Sequence, residues 1–367
     1  MSTPAPAAGR VLVYGANGYT GVLVAEEMRR QGLHPLLAGR NRDALEALGR
    51  RLGLDVRVFD LGEAATVHAA LDGCALLLNC AGPFSRTAAP LLEACLARGV
   101  HYLDITGEID VFARCHGADA RARAAGIVVA PGTGFDVVPT DCVAAMLKRA
   151  LPGARSLVLA FEAGGGTSPG TAKTSVEGLA AGGRARVGGE LVRVPLAWKS
   201  RTFLRDGAAR SAMTIPWGDV YTAYVSTAIP DIETYMAMPP RAIRAARRLR
   251  WLRPLLRFAP LRAWMMARAG ARPGPDDARR AATGCHVWGE ARDADGRLAT
   301  LQVATPNGYA LTAWTATDIA NRVLAQPPAT GGFFTPSQLM GADYVLHVPG
   351  VSIAQALRVA EAPRASG

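Results

Sequence analysis

The sequence predicts an α/β protein in which a doubly wound parallel sheet is joined to a second, central α/β (α+β) domain. Three observations carry that prediction. Short apolar runs alternate with helix-like stretches from Val11 to Leu103, as expected of a parallel sheet whose crossovers are helices. A glycine-rich turn separates the first apolar run from the first helix. The chain has 367 residues, 50% of them hydrophobic, which is more than one ordinary core holds, so two domains are expected.

Each element follows in order. Val11-Leu12-Val13-Tyr14 reads as a buried parallel strand, and Val22–Met28 begins a helix. Between them, Gly15 permits a tight turn, Gly18 lets the backbone approach a pyrophosphate, and Gly21 lets helix and strand pack closely. Asn17, Tyr19 and Thr20 complete this turn, and the helix start offers N–H groups and a positive dipole end to phosphates. The Gly-x-x-Gly-x-x-Gly spacing differs from the commonest dinucleotide fingerprint, and alone it equally suits a plain βα turn. The second strand, Leu36–Ala38, runs into Gly39-Arg40-Asn41-Arg42. An NAD site would place an acidic residue here for the ribose 2′-hydroxyl, whereas Arg40, with Asn41 and Arg42 beside it, suits a 2′-phosphate. NADPH is therefore the expected cofactor.

The third strand, Val56–Phe59, ends at Asp60, a carboxylate that could accept from an adenine amino group. The fourth, Ala75–Leu78, ends in Asn79-Cys80-Ala81-Gly82-Pro83-Phe84, where Cys80, Ala81, Gly82, Pro83 and Phe84 would let a nicotinamide ribose come near the backbone. A helix from about Pro90 to Arg98 and a strand at His101–Leu103 follow, and Tyr102, Asp104, Thr106 and Glu108 line the strand end and the turn beyond it. Thr106 is counted with the cofactor contacts. The whole unit is a Rossmann-type sheet.

These pieces resemble the saccharopine dehydrogenase-like oxidoreductases, and among them the bacterial trans-acting enoyl reductase branch. The matching stretches are Tyr14–Gly21, Ala38–Asn41, Asn79–Phe84, Tyr102–Glu108, Pro131–Asp141, Gly218–Tyr235, Asn307–Tyr309 and Gly331–Gly341. The resemblance implies an NADP-binding domain over 1–145, a central substrate and dimerisation domain over 146–305, and a C-terminal return over 306–367 that packs on the first domain. A helix over Ala310–Leu324 agrees, with Leu311, Trp314, Thr315, Ile319 and Val323 at helical spacing.

The formal charge of +11 is local. Ten arginines and no Asp or Glu lie between Arg241 and Arg272, and without them about +1 remains. That segment also carries Trp251, Leu255, Phe258 and Trp264, while Pro254 and Pro260 divide it into short helices. A basic, apolar-backed face suits an anionic membrane or an acyl carrier. It suits nucleic acid poorly, because the aromatics do not alternate with the charges. The plain alternative is a solvated helical insertion. No apolar run is long enough to span a membrane, and MSTPAPAAGR is not expected to be a secretory leader. The expected location is cytoplasmic, with peripheral contact at the inner membrane. The six cysteines form no Cys-x-x-Cys pair, so no metal site is expected.

The chemistry is less legible. The Tyr-x-x-x-Lys pair of short-chain dehydrogenases is absent, because Ala144, Pro169 and Pro195 stand four residues before Lys148, Lys173 and Lys199. The candidate catalytic residues are Tyr221, read with Tyr224 as part of a strand, Asp136, and Lys173 after the Gly164–Thr171 stretch. Each has a structural alternative: core aromatic, helix-capping carboxylate, and mobile loop. The expected reaction is hydride transfer from NADPH to an enoyl C=C bond of a lipid-like or polyketide-like acyl substrate, small or carrier-bound. The alternatives are a saccharopine-type imine reductase, with substrate carboxylates held by Arg184, Arg186, Arg201 and Arg205, and a non-catalytic NADP-binding protein of lipid surfaces.

Overall fold

A computed structural model describes residues 9–172, 182–250, 264–265, 267–268 and 274–361. The chain divides into two compact units, Met1–Phe135 with Tyr309–Phe334, and Asp136–Gly308 with Thr335–Gly367.

The first unit holds strands β1 (Arg10–Tyr14), β2 (Leu36–Gly39), β3 (Val56–Val58), β4 (Cys74–Asn79), β5 (His101–Asp104), β6 (Val128–Ala130) and β15 (Gly332–Phe333). They form one sheet, parallel at every pairing, in the order β15-β6-β5-β4-β1-β2-β3. Chain direction across the sheet reverses between β1 and β4, the position where open parallel sheets bind ligands beyond their carboxyl ends. Leu12, Val13, Leu37, Ala38, Leu77 and Leu78 are fully buried, so the apolar runs of the sequence are strands covered on both faces.

The crossovers are α1 (Tyr19–Arg30), α2 (Arg42–Leu52), α3 (Ala64–Ala69), α4 (Phe84–Arg98), α5 (Ile109–Gly117) and α6 (Asp119–Ala124). Helix α4 starts six residues earlier than the sequence suggests and contains Pro90. Its first amides, of Phe84 and Ser85, donate to the Glu108 carboxylate at 2.9 and 2.7 Å, a cap supplied from 24 and 23 residues away. The long helix α11 (Gly308–Ala325) returns to this unit and buries Leu311, Thr315, Ile319 and Val323. Thr312 Oγ1 accepts from the Phe135 amide at 2.9 Å, and Thr315 Oγ1 donates to the Thr133 carbonyl at 2.8 Å.

The second unit is a nine-stranded mixed sheet made of β7 (Ala154–Ala163), β8 (Gly183–Val187), β9 (Glu190–Val194), β10 (Ser200–Arg205), β11 (Ala208–Thr214), β12 (Asp231–Ala237), β13 (Gly284–Asp293), β14 (Leu298–Pro306) and β16 (Ser352–Ala360). Its main path runs β10-β11-β12-β7-β13-β14-β16. The sheet curls so that its β10 edge reaches the interior strand β13: Trp288 Nε1 on β13 donates to the Leu204 carbonyl on β10 at 2.8 Å, and Arg201 pairs with Glu290 at 2.8 Å. Ala160 and Ala212 leave room inside the curl for Phe203, Tyr235 and Trp288. Helix α7 (Val138–Ala150) lies across β7, β13 and β14, where Gly289 permits the approach. A Cβ there would stand 2.3 Å from Val143. The remaining helices are α8 (Asp219–Thr227), α9 (Pro240–Leu249), α10 (Asp277–Ala281) and α12 (Pro336–Met340). No described helix is long and apolar enough to cross a membrane.

Two expectations are corrected here. Tyr221 and Tyr224 lie on helix α8, not on a strand. The C-terminal return is divided: 309–334 joins the first unit, whereas β16 pairs antiparallel with β14 in the second sheet. The strand edge of β14 is the physical reason, since an unpaired row of backbone groups recruits the last apolar segment.

Candidate functional site

The turns that follow β1, β2, β3, β4 and β5 stand along one rim of the parallel sheet, and the expected cofactor contacts all fall on them. Gly15 is left-handed, at φ +80°, and a Cβ there would lie 2.8 Å from the Ala81 nitrogen. The turns after β1 and β4 are thus in contact, and the Cys80 amide donates to the Tyr14 carbonyl at 2.8 Å. Gly21 is equally constrained, because its Cβ would meet the Gly15 carbonyl oxygen at 2.2 Å. Gly18 is exposed, and its Cβ would meet only that oxygen, at 3.1 Å. Of the three glycines, Gly18 is thus the one least crowded by the chain itself. Helix α1 begins there with no side-chain cap and no acidic residue in its first turn, as an anion-binding helix start requires. Asn17 is exposed beside it, Thr20 is half-buried, and the Tyr19 ring meets Tyr309 edge-on at 4.9 Å.

Arg40 is exposed after β2 and makes no ion pair with any described residue, whereas Arg42 is turned to Glu46 at 3.4 Å. Burial raises the pKa of Tyr14, the positive charge of Arg40 lowers it and the Asp60 carboxylate raises it, which places both charges around the end of β1. Asn41 caps helix α2, its Oδ1 accepting from the Ala44 amide at 3.1 Å. Asp60 Oδ1 accepts from the Gly62 amide at 2.8 Å, which leaves its other oxygen to the surface.

The turn after β4 is braced from beneath. Asn79 is buried, accepts from the Ala81 amide at 3.0 Å and donates to Thr87 Oγ1 at 3.0 Å; Thr87 in turn donates to the Ala81 carbonyl at 2.7 Å. This holds the backbone of Ala81, Gly82 and Pro83 in place before Phe84 starts α4. Burial raises the Cys80 thiol well above its ordinary value, so Cys80 contributes backbone and bulk and no thiolate. After β5, Asp104 is a buried hub that accepts from Tyr102 Oη at 2.8 Å and from the Thr106 and Gly132 amides at 3.0 and 2.9 Å. Burial raises its pKa to about 6 against those three donors. Thr106 is fully buried and accepts from the Glu108 amide at 3.0 Å. Asp104, Thr106 and Glu108 therefore shape the rim from within.

In the second unit, Lys173 lies outside the described residues. Asp136 is half-buried just before α7, and its carbonyl accepts from Trp217 Nε1 at 2.7 Å. Tyr221 stands on the first turn of α8, with the Arg186 guanidinium 5.7 Å from its ring and 4.1 Å from that of Tyr224. Tyr221 and Asp136 both belong to the second unit. The structure also exposes a cluster that the sequence does not announce. Asp219 is fully buried, its Oδ1 lies 2.5 Å from Thr140 Oγ1, and its Oδ2 has no hydrogen-bond partner. Thr140 Oγ1 donates to Asp219 Oδ1 and also lies 3.0 Å from the Val137 carbonyl, so one hydroxyl proton faces two acceptors. Burial pushes the Asp219 pKa well up, the Thr140 hydrogen bond opposes this, and the neighbouring Asp141 and Asp136 carboxylates reinforce it. Asp141 has both oxygens satisfied, by Ser226 Oγ at 2.7 Å and the Ser337 amide at 2.8 Å. The only local sign of Asp219 is an acidic residue at a helix start, a common surface feature.

Among the described residues no three His, Cys, Asp or Glu side chains stand together as a metal site, and all six cysteines are free thiols.

Residues 11–129 match the family described as the saccharopine dehydrogenase NADP-binding domain. The chain is 33% identical over 142 residues to a trans-acting enoyl reductase of Mycobacterium leprae, covering 36% of this chain and 33% of that protein. It is 26% identical over 171 residues to a saccharopine dehydrogenase-like oxidoreductase of Mus musculus, covering 41% and 40% respectively. These alignments span between a third and two fifths of the relatives' length. The apo saccharopine dehydrogenase (L-Glu forming) of Saccharomyces cerevisiae shares the fold, with a TM-score of 0.64 at 11% identity over 96% of this chain and 100% of that one. The expected resemblance and cofactor class are borne out by the family match, and the exposed Gly18 at the uncapped start of α1, with Arg40 free of ion pairs among the described residues, fits NADP.

Proposed function

We propose that this chain, whose N-terminal unit belongs to the saccharopine dehydrogenase NADP-binding domain family, reduces an activated C=C bond of a lipid-like or polyketide-like acyl substrate with NADPH. The observation that carries the cofactor half is Arg40, exposed and without an acidic partner at the end of β2, beside an uncapped glycine turn. The trans-acting enoyl reductase relatives support the reaction class.

Bound NADPH supplies a hydride to the β-carbon, and the protein must hold it, orient it and provide a proton. The amides at the start of α1 would hold the pyrophosphate over Gly18, with Asn17, Tyr19 and Thr20 around it. Arg40 would pair with the 2′-phosphate, with Asn41 beside it. Asp60 would accept from the adenine amino group, and the braced backbone of Cys80–Pro83, with Phe84 and Thr106, would hold the nicotinamide ribose. Tyr221, Asp136 and Lys173 are the candidate donors of the proton that quenches the enolate.

The saccharopine-type alternative needs spare cations for substrate carboxylates. Arg201 is paired with Glu290, Arg205 with Glu162 at 3.0 Å, and Arg186 donates to the Val220 and Gly189 carbonyls at 2.8 and 2.7 Å. These three are engaged within the unit, which favours a substrate with fewer acid groups.

The deciding assay follows NADPH consumption with enoyl thioesters, then with amine plus keto acid. Turnover with the first is expected, and NADPH should bind tighter than NADH. Arg40→Ala should remove most of that preference, a loss of roughly 10- to 100-fold for a charge-assisted pair. Turnover restricted to amine plus keto acid would establish imine reduction instead. Tight NADPH binding with no turnover on either would leave the non-catalytic reading.

A further inference from the structure

Helix α9 (Pro240–Leu249) carries two kinds of arginine. Arg247 Nη2 donates to Ser200 Oγ at 2.9 Å, and Arg250, just past the helix, donates to the Leu196 and Ala197 carbonyls. These two, with buried Ile243, fasten the helix to the turn before β10. Arg241, Arg244 and Arg248 do the opposite. At 100° per residue they fall within about 60° of arc on the outward side, with Ala245 and Leu249 beside them. All three are exposed, and none has a carboxylate within ion-pair distance among the described residues. Together with Ala245 and Leu249 they line an open surface depression.

Like charges three and four residues apart destabilise a helix by roughly 0.2–0.5 kcal/mol per pair. A helix used only as a solvated face relieves this with interleaved Glu, yet no Asp or Glu occurs from Arg241 to Arg272. The segment also presents Trp264, 58% exposed, with the Arg268 guanidinium 5.5 Å from its ring. Trp251, Leu255 and Phe258 lie outside the described residues.

We infer that the outward face of α9, with Trp264 and Arg268, is a docking surface for an anionic lipid bilayer. Guanidinium groups spaced along one helix face meet a plane of lipid phosphates without needing a fixed register. The part-exposed Leu249 beside them, and the exposed Trp264 with Arg268 later in the same segment, suit the interface between headgroups and acyl chains. An acidic protein surface would answer the arginines and leave the tryptophan in water, so the bilayer accounts for more of what is present. The inference is independent of the reductase assignment, because its readout is binding.

The test is flotation of the full chain with vesicles of phosphatidylglycerol and phosphatidylcholine, and with phosphatidylcholine alone, at low and physiological salt. Binding to the anionic vesicles alone, weakened by salt, is expected. The triple variant Arg241→Gln, Arg244→Gln, Arg248→Gln should lose on the order of a hundredfold in partitioning, about fivefold per arginine near such a surface. Arg292→Gln, Arg322→Gln, Arg358→Gln, which removes as much charge from exposed sites elsewhere, should lose little. Unchanged circular dichroism and NADPH affinity would certify that both variants fold. No flotation with anionic vesicles, equal flotation with neutral ones, or equal losses in the two variants would overturn the inference.

Discussion

The three glycines of the first turn look alike in the sequence and differ in what each excludes. Gly21 and Gly15 are crowded by the chain itself, with Cβ positions 2.2 and 2.8 Å from backbone atoms, whereas Gly18 is exposed and its Cβ would meet only the Gly15 carbonyl oxygen, at 3.1 Å. Gly18→Val should therefore give a folded protein that no longer binds NADPH, while Gly21→Ala should unfold at markedly lower temperature. Thermal melts with and without NADPH separate the two; normal NADPH affinity in Gly18→Val would misplace the phosphate. A second residue, Asp104, makes stability depend on pH. Its folded pKa of about 6 lies above the ordinary carboxylate value of about 3.9, so the folded state holds the proton more tightly. Its contribution is complete below about pH 3.9 and is lost as pH rises through 6, up to about 3 kcal/mol. Asp104→Asn keeps an acceptor for the two amides and cannot ionise. The difference in unfolding free energy between variant and parent should move in the variant's favour from pH 4 to 7, and a flat difference would contradict the assignment.

At the scale of elements, helices α7 and α8 place two carboxyls in different surroundings. Asp141 accepts on both oxygens, whereas Asp219 accepts from Thr140 on one and has no partner among the described residues for the other. Asp141→Asn removes one acceptor from a buried pair of donors and should cost about 2 kcal/mol. Asp219→Asn should change stability by less than about 1 kcal/mol, because the amide oxygen still accepts from Thr140 and the oxygen it replaces has no partner to lose. Chemical denaturation of both variants measures the contrast, and equal losses would contradict it. Helix α4 shows why element ends are hard to read locally. Pro90 argues for a late start, and the Glu108 cap that permits the early one is distant in sequence. Tyr221 and Tyr224 show the same limit, since aromatic and β-branched residues favour strands on average while Arg186 and the α8 packing hold them in a helix here.

At the scale of the whole molecule, the first unit is completed by residues from the far end of the chain. Gly134 stands against Thr312, where a Cβ would come within 2.7 Å, and α11 buries an apolar face on this unit. Residues 1–135 alone should show no cooperative melt. Joined through a short glycine linker to residues 309–334, the same fragment should melt cooperatively and bind NADPH. Phe135 and Thr312 are hydrogen-bonded at 2.9 Å, so the linker has little distance to span. A cooperative melt of 1–135 by itself would show that α11 is dispensable.

The sequence by itself determined the parallel sheet, its glycine turn and the basic residue at the end of β2. Those features depend on neighbours within a few residues, where periodicity, glycine and charge act directly. It also isolated the arginine-rich segment, because composition needs no fold. Only the tertiary structure decided which side chains are already engaged. Glu108 became a helix cap, Arg186, Arg201 and Arg205 became internal partners, and Asp219 became a fully buried carboxyl beside Asp141. Burial and hydrogen bonding arise between segments far apart in the chain, and they set both protonation and availability. That is why the NADP rim could be read from residue order, while the groups of the second unit could be sorted only after the chain had folded.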